Sequence, residues 1–230
     1  MIRLHIIAEG QAELNFARKV LAPHLAARNI IVDARAVMTS RNRHTSHKHS
    51  GGLTSYGKAK NDIKAWLTED KGAESRFTTM FDFYGLPKDF PGYADIACLA
   101  SPHERVKRLE TALASNIDDQ QGRFIPYIQL HEFEALIFAD PRQLDWEYLE
   151  HAAQIESLIA IAEEQEPERI NDGRDTAPSK RILANIPEYK KATAGVAVVE
   201  KIGLPTLRAK CKHFDEWISR LESLAGASHE

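Results

Sequence analysis

Residues 76–87, with the sequence RFTTMFDFYGLP, constrain the fold more than any other stretch of the chain. The first half is a short apolar run rich in aromatic and β-branched residues, and Gly85 and Pro87 stop it, which predicts a buried strand. Asp82 stands where this strand gives way to a loop. Because open α/β sheets bind their ligands outside the carboxyl ends of parallel strands, an acid at this position favours a functional site. The structural alternative is an Asp that only caps the following turn.

The start of the chain has the same order of an apolar strand followed by an acid. Residues 2–8 alternate and then become wholly apolar, which predicts a buried strand, and Glu9-Gly10 follows directly. Apolar residues then recur at helical spacing over residues 11–25, so the order is strand, acid–glycine turn and helix. Glu9 is therefore a second carboxylate at a strand end. Glu13, one turn into the helix, is attributed to the favourable interaction of an acid with a helix N-terminus.

A third acidic strand end follows residues 123–130, which predict another strand. Pro126 in this run favours an edge or a strand start, because proline cannot donate to a central ladder. The run ends in His131, Glu132, Phe133 and Glu134. If the backbone is still extended there, the two glutamates share a face and converge; if it is already helical, one of them is a surface residue.

The remaining pattern predicts an α/β fold with a mostly parallel sheet flanked by helices. Residues 30–38 predict a further strand, and helices are predicted over residues 54–71 and 102–114. After residue 140 the strand rhythm stops and the chain becomes helical with several proline breaks. We therefore expect an α/β domain over residues 1–140 and a helical extension over residues 141–230 packed on it.

Composition limits the possible partners and the compartment. The formal net charge is -3, so a nucleic-acid partner would have to bind a local basic patch. Two cysteines, Cys98 and Cys211, lie far apart without metal-binding spacing, which favours a reducing, cytoplasmic compartment. The first residues lack the pattern of a signal peptide and no apolar run reaches membrane-spanning length, so no membrane partner is expected.

Two basic segments could bind the phosphates of DNA or RNA. Residues 39–52 combine Arg41, Arg43 and Lys48 with histidines, hydroxyls and two glycines, and without an apolar anchor. There are two alternatives for this segment: its three histidines could bind a metal ion, or the segment could be a solvated surface loop. Lys180 and Arg181 stand at a predicted helix start, where free amides and basic side chains can hold a phosphate. An ordinary helix begun by a proline is the alternative there. The histidines are His44, His47 and His49.

Two of the acidic motifs resemble the Toprim superfamily, the metal-dependent catalytic modules of primases, topoisomerases and OLD-type nucleases. An apolar strand ending in Glu9-Gly10 is similar to the first Toprim motif, and Asp82 is similar to the first acid of the later Asp-x-Asp motif. The second position of that motif is Tyr84, which removes one magnesium ligand. Over nearly its whole length the chain is identified as a member of the DUF4276 family, a group of bacterial Toprim-like proteins, on residues 7–11, 81–87 and 129–140.

The resemblance implies a Toprim-like fold, a role in defence against foreign DNA and an ATPase partner. It also favours Glu134 as the carboxylate that follows the last sheet strand. Acids at strand ends beside basic loops suit a site for Mg²⁺ or Mn²⁺ that hydrolyses phosphodiesters. The expected catalytic residues are Glu9, Asp82 and Glu134; the expected metal ligands are these three and Glu132; the expected nucleic-acid-binding residues are Arg41, Arg43, His47, Lys48, Lys180 and Arg181.

The alternative is a non-catalytic Toprim-like module that binds nucleic acid or a partner ATPase, and Tyr84 is its best support. Phosphotransfer to small molecules is disfavoured, because the chain has no Gly-x-x-x-x-Gly-Lys-Ser/Thr motif.

Overall fold

The computed structural model describes residues 1–37, 53–170 and 176–226. The basic and histidine residues of the predicted loop therefore lie outside the described part of the chain. They are Arg41, Arg43, His44, His47, Lys48 and His49. The chain forms two units. The first comprises Met1–Ile128 with the chain end from Ser223, and the second comprises Gln129–Glu222. The predicted division at residue 140 stays a prediction.

The first unit is built on a mostly parallel sheet with the strand order β2-β1-β3-β4. The strands are β1 (Ile2–Ala8), β2 (Ile30–Ala36), β3 (Ser75–Asp82) and β4 (Phe124–Ile125). All three pairs in this order are parallel. A fifth short strand, β5 (Ile128–Gln129), also pairs with β3, and its Ile128 is the last residue of this unit. The predicted α/β fold class is confirmed.

The burial of β3 follows from its position inside the sheet, between β1 and β4. Every residue of β3 except Arg76 is buried, because strands lie on both of its edges and helices cover its faces. β2 lies at the edge, where alternate residues such as Ile31 and Asp33 are exposed. A long apolar run thus marks the central strand, and an alternating run marks the edge.

The strand predicted over residues 123–130 is wrong in one respect, because the chain forms two short strands there instead of one. Pro126 has no N–H to donate to the ladder, and pairing stops at this residue. The hydroxyl of Thr79 in β3 replaces the missing ladder bonds. Its Oγ1 accepts from the Tyr127 N–H at 2.9 Å and donates to the Tyr127 carbonyl oxygen at 2.9 Å. The segment therefore stays next to β3 through a side chain.

Helices flank the sheet of the first unit. The chain after β1 forms one helical run of α1 (Gln11–Phe16), a π-helical segment (Ala17–Leu21) and α2 (Ala22–Ala26). The helices predicted after β2 and β3 are α3 (Tyr56–Glu69) and α4 (Pro102–Ile117). Ser101 caps α4, since its hydroxyl accepts from the Glu104 N–H.

The second unit is helical, as expected after the strand rhythm stops. It begins with two 3-10 segments, Phe133–Ala139 and Pro141–Trp146. The α-helices described after them are α5 (Ala152–Glu164), α6 (Pro178–Asn185), α7 (Val196–Ile202), α8 (Leu204–Lys210) and α9 (Lys212–Ser223). Among the residues that the structure describes, no helix has the length and apolar character needed to cross a membrane.

Candidate functional site

The acids predicted at the ends of the first and third strands lie at one sheet edge, where the carboxylate of Glu9 meets the backbone of Asp82. β1 and β3 are parallel neighbours, and the register that pairs Ala8 with Met80 places Glu9 and Asp82 just beyond the last paired residues. The Glu9 N–H continues the ladder by donating to the Met80 carbonyl oxygen at 3.0 Å. The Glu9 carboxylate in turn accepts a hydrogen bond of 2.8 Å from the backbone N–H of Asp82. The sheet thus fixes the acid of one strand against the end of the next.

Gly85 leaves the space that the Glu9 carboxylate occupies. It closes a 3-10 turn, Phe83–Gly85, that follows Asp82 directly. A β-carbon on Gly85 would lie 2.3 Å from Oε1 and 2.8 Å from Oε2 of Glu9, distances that real β-carbons do not reach. The glycine in the sequence after Asp82 is therefore required by a close approach rather than by an unusual backbone angle.

A third acid, Glu13, lies at the same end of β1. Gly10 is the N-cap of α1, and its N–H donates to Oε2 of Glu13 at 3.0 Å. This bond is one half of a capping box, in which an acid at the third helical position accepts from the N-cap N–H. The Glu13 side chain is 2% exposed. Burial of this degree is unusual for an acid that only balances a helix dipole on the surface.

All three acidic side chains are shielded from water. Glu9 is 7% exposed, Glu13 2% and Asp82 5%. Burial of charged groups costs free energy unless they are paired, hydrogen-bonded or bound to a cation. The backbone N–H groups of Gly10 and Asp82 offset part of this cost. A bound cation would offset more of it.

Mg²⁺ prefers oxygen ligands such as carboxylates, so the side-chain chemistry of these residues is suitable for this ion. Within residues 1–37, 53–170 and 176–226, no group of three or more His, Cys, Asp and Glu side chains is arranged to hold a metal ion. Mg²⁺ commonly binds to only one or two carboxylates and completes its shell with water and substrate phosphates. Glu9 and Asp82 are the two acids that stand at adjacent strand ends here.

The two glutamates of the third acidic strand end lie in the second unit and have different partners. His131 adopts a left-handed backbone conformation with φ 64°, which ends the extended run. The backbone of Glu132 is extended again, and its Oε2 accepts from the Ser179 N–H at 2.9 Å. Glu134 lies in the following 3-10 segment, 2% exposed, with Oε2 3.4 Å from Nζ of Lys191. Each carboxylate thus has a structural interaction of its own.

The buried phenol of Tyr189 belongs to the surroundings of Glu134. Burial raises the pKa of Tyr189 well above its usual value, and the negative charge of Glu134 raises it further. A β-carbon on Gly195 would lie 2.3 Å from the Tyr189 hydroxyl oxygen, so this glycine leaves room for the phenol. The phenol therefore stays neutral at any physiological pH.

The expected phosphate site at the start of α6 already holds an anion of the chain. Ser179 is the second residue of α6, and its N–H is bound to Glu132. Arg181 donates from Nε to the Thr176 carbonyl oxygen at 2.8 Å, while Lys180 is exposed. A carboxylate at a helix N-terminus uses the same N–H groups that a phosphate would use.

Glu13 is the site residue that sequence reasoning missed. The signal for it was present, because an acid three residues after a glycine N-cap is the second half of a capping box. Its burial at the end of β1 could not be read from that pattern. Tyr84, at the second position of the Asp-x-Asp motif, is 39% exposed in the 3-10 turn and supplies no carboxylate.

Comparisons with known proteins identify a family and one distant structure. The model of a family described as "Domain of unknown function (DUF4276)" matches residues 8–222. Among curated proteins, no match to the chain was found. Among solved structures, the chain is similar to the C-terminal region of the Xanthomonas campestris pv. campestris OLD protein, with 16% identity and a TM-score of 0.42 over 95% of each chain. A likeness this distant carries no functional argument.

Proposed function

The chain belongs to the DUF4276 family, whose description assigns no function, and we propose that it is a Mg²⁺-dependent phosphodiester hydrolase that acts on nucleic acid. One observation carries the proposal. Glu9 directly follows β1 and Asp82 is the last residue of the adjacent parallel strand β3, and the carboxylate of Glu9 is bound to the backbone of Asp82 at 2.8 Å. Ligands of α/β sheets bind at this edge, and a pair of carboxylates there suits Mg²⁺ with a phosphate in its shell.

The residues divide the work as follows. Glu9 and Asp82 would hold the ion, which when bound activates water and neutralises charge on the phosphate. The Asp82 N–H orients the Glu9 carboxylate, and Gly85 leaves room for it. Glu13, held at Gly10 beside Glu9, adds negative charge that increases the affinity for a divalent cation.

Mn²⁺ is a second ion that these oxygen ligands would accept. The proposed polymer partner is DNA or RNA, steered by the basic residues of the two segments predicted from sequence. Glu134 stays a proposed ligand, and Glu132 a proposed further ligand. An ATPase partner and a role in defence are proposals that rest on the resemblance alone.

Cleavage assays test this function directly. Single- and double-stranded DNA and RNA are incubated with the protein and Mg²⁺ or Mn²⁺, with and without a candidate ATPase partner. We expect Asp82→Asn to lower the cleavage rate by at least about 100-fold, the upper range for loss of a group that supports a metal ligand. Asp95→Asn removes an exposed acid outside the site and should leave the rate unchanged. Equal cleavage by wild type and Asp82→Asn would refute the metal site.

A non-catalytic module that binds nucleic acid or a partner ATPase is the second candidate. Tyr84 in place of a second Asp favours it, as does the lack of a three-ligand metal group in the described chain. This candidate predicts salt-sensitive binding in EDTA with no cleavage by wild type under any condition above. Arg41→Ala with Arg43→Ala should then weaken binding and flatten its salt dependence, because fewer phosphate contacts release fewer counterions.

A further inference from the structure

A small cavity lies beside the same sheet edge, on the side of the sheet that α3 covers. Its volume is about 230 Å³. This is below the roughly 300 Å³ at which pockets for drug-sized ligands begin, so the cavity suits a single ring system. All of its lining residues belong to the first unit.

One stripe of α3 and the last residues of β1 and β2 form its walls. Asp62, Ala65, Trp66 and Glu69 of α3 recur at the spacing of one helical face. Ile7 of β1 and Arg35 of β2 are paired in the register and point to the same face of the sheet. The walls are therefore largely apolar, with charged groups at defined places.

Arg35 provides a flat surface within this cavity. Its guanidinium carbon lies 4.2 Å from the centre of the Trp66 ring. Two of its nitrogens are fixed on the Glu69 carboxylate at 3.0 and 3.3 Å. The guanidinium plane is thus held in place by an aromatic ring and a carboxylate, while the side chain remains 49% exposed. Proteins that recognise single-stranded RNA stack splayed bases on aromatic rings and on arginine planes.

Asp62 adds an acceptor that would contact the edge of a stacked base. It lies one helical turn before Trp66 and lines the cavity. Carboxylates accept hydrogen bonds from the exocyclic amino group of cytosine, and adenine presents a similar group. We propose that this cavity binds one unpaired nucleobase with an exocyclic amino group, stacked on Arg35, from a single-stranded nucleic acid.

The inference rests on the proposed function and names its substrate class. Ile7 in the cavity wall lies near the end of β1, and the proposed ligand Glu9 follows it by two residues, a separation of about 7 Å along an extended chain. A base in the cavity would therefore bring a neighbouring phosphodiester to the end of β1. The volume suits an unpaired base, which can be splayed out of its strand, whereas a base within a duplex remains stacked and paired.

Binding measured in EDTA tests the cavity without cleavage. The probes are AMP, CMP, UMP and ribose 5-phosphate, followed by tryptophan fluorescence, and a labelled single-stranded oligonucleotide, followed by anisotropy. We expect AMP and CMP to quench the fluorescence and ribose 5-phosphate to leave it unchanged. Trp66→Phe should remove the signal, because Trp146 and Trp217 lie in the second unit.

Arg35→Lys separates stacking from charge, since lysine keeps the positive charge and loses the plane. We expect it to weaken oligonucleotide binding by about tenfold, the size of one stacking contact. Asp62→Ala should reduce the preference for CMP over UMP. Arg28→Ala is the matched control, because it removes one exposed charge before the other end of β2 and should have a smaller effect than Arg35→Lys.

Quenching by ribose 5-phosphate, or oligonucleotide binding by Arg35→Lys equal to wild type, would overturn the proposal. Mononucleotide binding that is lost in Arg35→Lys while oligonucleotide binding is kept would also overturn it, in favour of a free nucleotide. Thermal unfolding of each variant shows that its fold is intact. These results are independent of the cleavage assay, so the base site and the hydrolase can fail separately.

Discussion

Both units bury acidic side chains, but they use them differently. In the first unit, Glu9, Glu13 and Asp82 gather at the carboxyl edge of a parallel sheet. In the second unit, Glu168 is 2% exposed, and its two oxygens accept from the His213 and Phe214 N–H groups at 2.9 Å each. These N–H groups belong to the first turn of α9, where a helix has no internal partners for them.

The difference shows that burial of an acid does not by itself identify a functional site. Glu168 has two strong structural bonds and the favourable charge of a helix N-terminus. Glu132 has the same role at the start of α6. Glu9 is bound at the carboxyl end of two parallel strands, where ligands of such folds bind. Its place in the fold, rather than its burial, favours function.

The largest effect on stability is expected in the second unit. Glu168→Ala should lower the free energy of unfolding by about 3 kcal/mol or more, because two hydrogen bonds to a charged acceptor are lost and two buried N–H groups are left without it. Glu168→Gln keeps one acceptor oxygen and should lose less. Urea unfolding measures both. A loss below about 1 kcal/mol for the alanine variant would remove the proposed contrast.

The next effect is expected at the sheet edge and should change activity as well as stability. Gly85→Ala places a β-carbon 2.3 Å from Glu9 Oε1, so the carboxylate must move. Overpacking of this kind costs about 1–3 kcal/mol, and the displaced Glu9 should lower cleavage. Gly57→Ala in α3 is the matched control, since no atom lies within 4 Å of its new β-carbon and alanine favours helix. Equal behaviour of the two variants would contradict the close approach at Gly85.

The fold could be predicted where one period dominates a segment. Strands β1 to β3 and helices α3 and α4 follow from alternation, apolar runs and helical spacing. The break at Pro126 was foreseeable as a weakness of the strand. The hydrogen bonds between Thr79 and the backbone of Tyr127, which keep the segment beside β3, could not be predicted. The two residues are 48 positions apart, so no local sequence pattern indicates their contact.

The candidate site could be predicted only in part for the same reason. Glu9 and Asp82 could be predicted as neighbours because each stands at a strand end, and parallel pairing brings such ends together. Glu132 has a partner 47 positions away at a helix start, which no spacing in the sequence indicates. Glu13 fits the common capping-box pattern of a helix start, and that pattern does not indicate whether the acid is buried. Its burial therefore could not be predicted from the sequence.

A smaller effect is expected for Asp70, an acid of the first unit that accepts hydrogen bonds from an arginine and a histidine. Arg3 and then His5 donate to Asp70 and hold the pKa of this carboxyl well below its usual value. The stabilisation is therefore complete above the unfolded pKa of about 4 and is lost as the pH falls below it. Asp70→Asn should lower the free energy of unfolding by about 1 kcal/mol at pH 7. It should also make the free energy of unfolding less dependent on pH in the acid range. Unchanged acid unfolding curves would contradict this role.

The smallest effect on stability is expected at the proposed metal ligand itself. In Asp82→Asn the backbone N–H that holds Glu9 is retained, because that bond does not involve the Asp82 side chain. The amide has the shape of the carboxylate, and it removes one negative charge beside Glu9, which relieves repulsion between like charges. We therefore expect the free energy of unfolding in EDTA to change by no more than about 0.5 kcal/mol, or to rise. Mg²⁺ should then stabilise the wild type and leave Asp82→Asn unaffected, since a ligand stabilises only the fold that binds it. A loss of about 2 kcal/mol or more in EDTA would place Asp82 with the structural acids of the second unit.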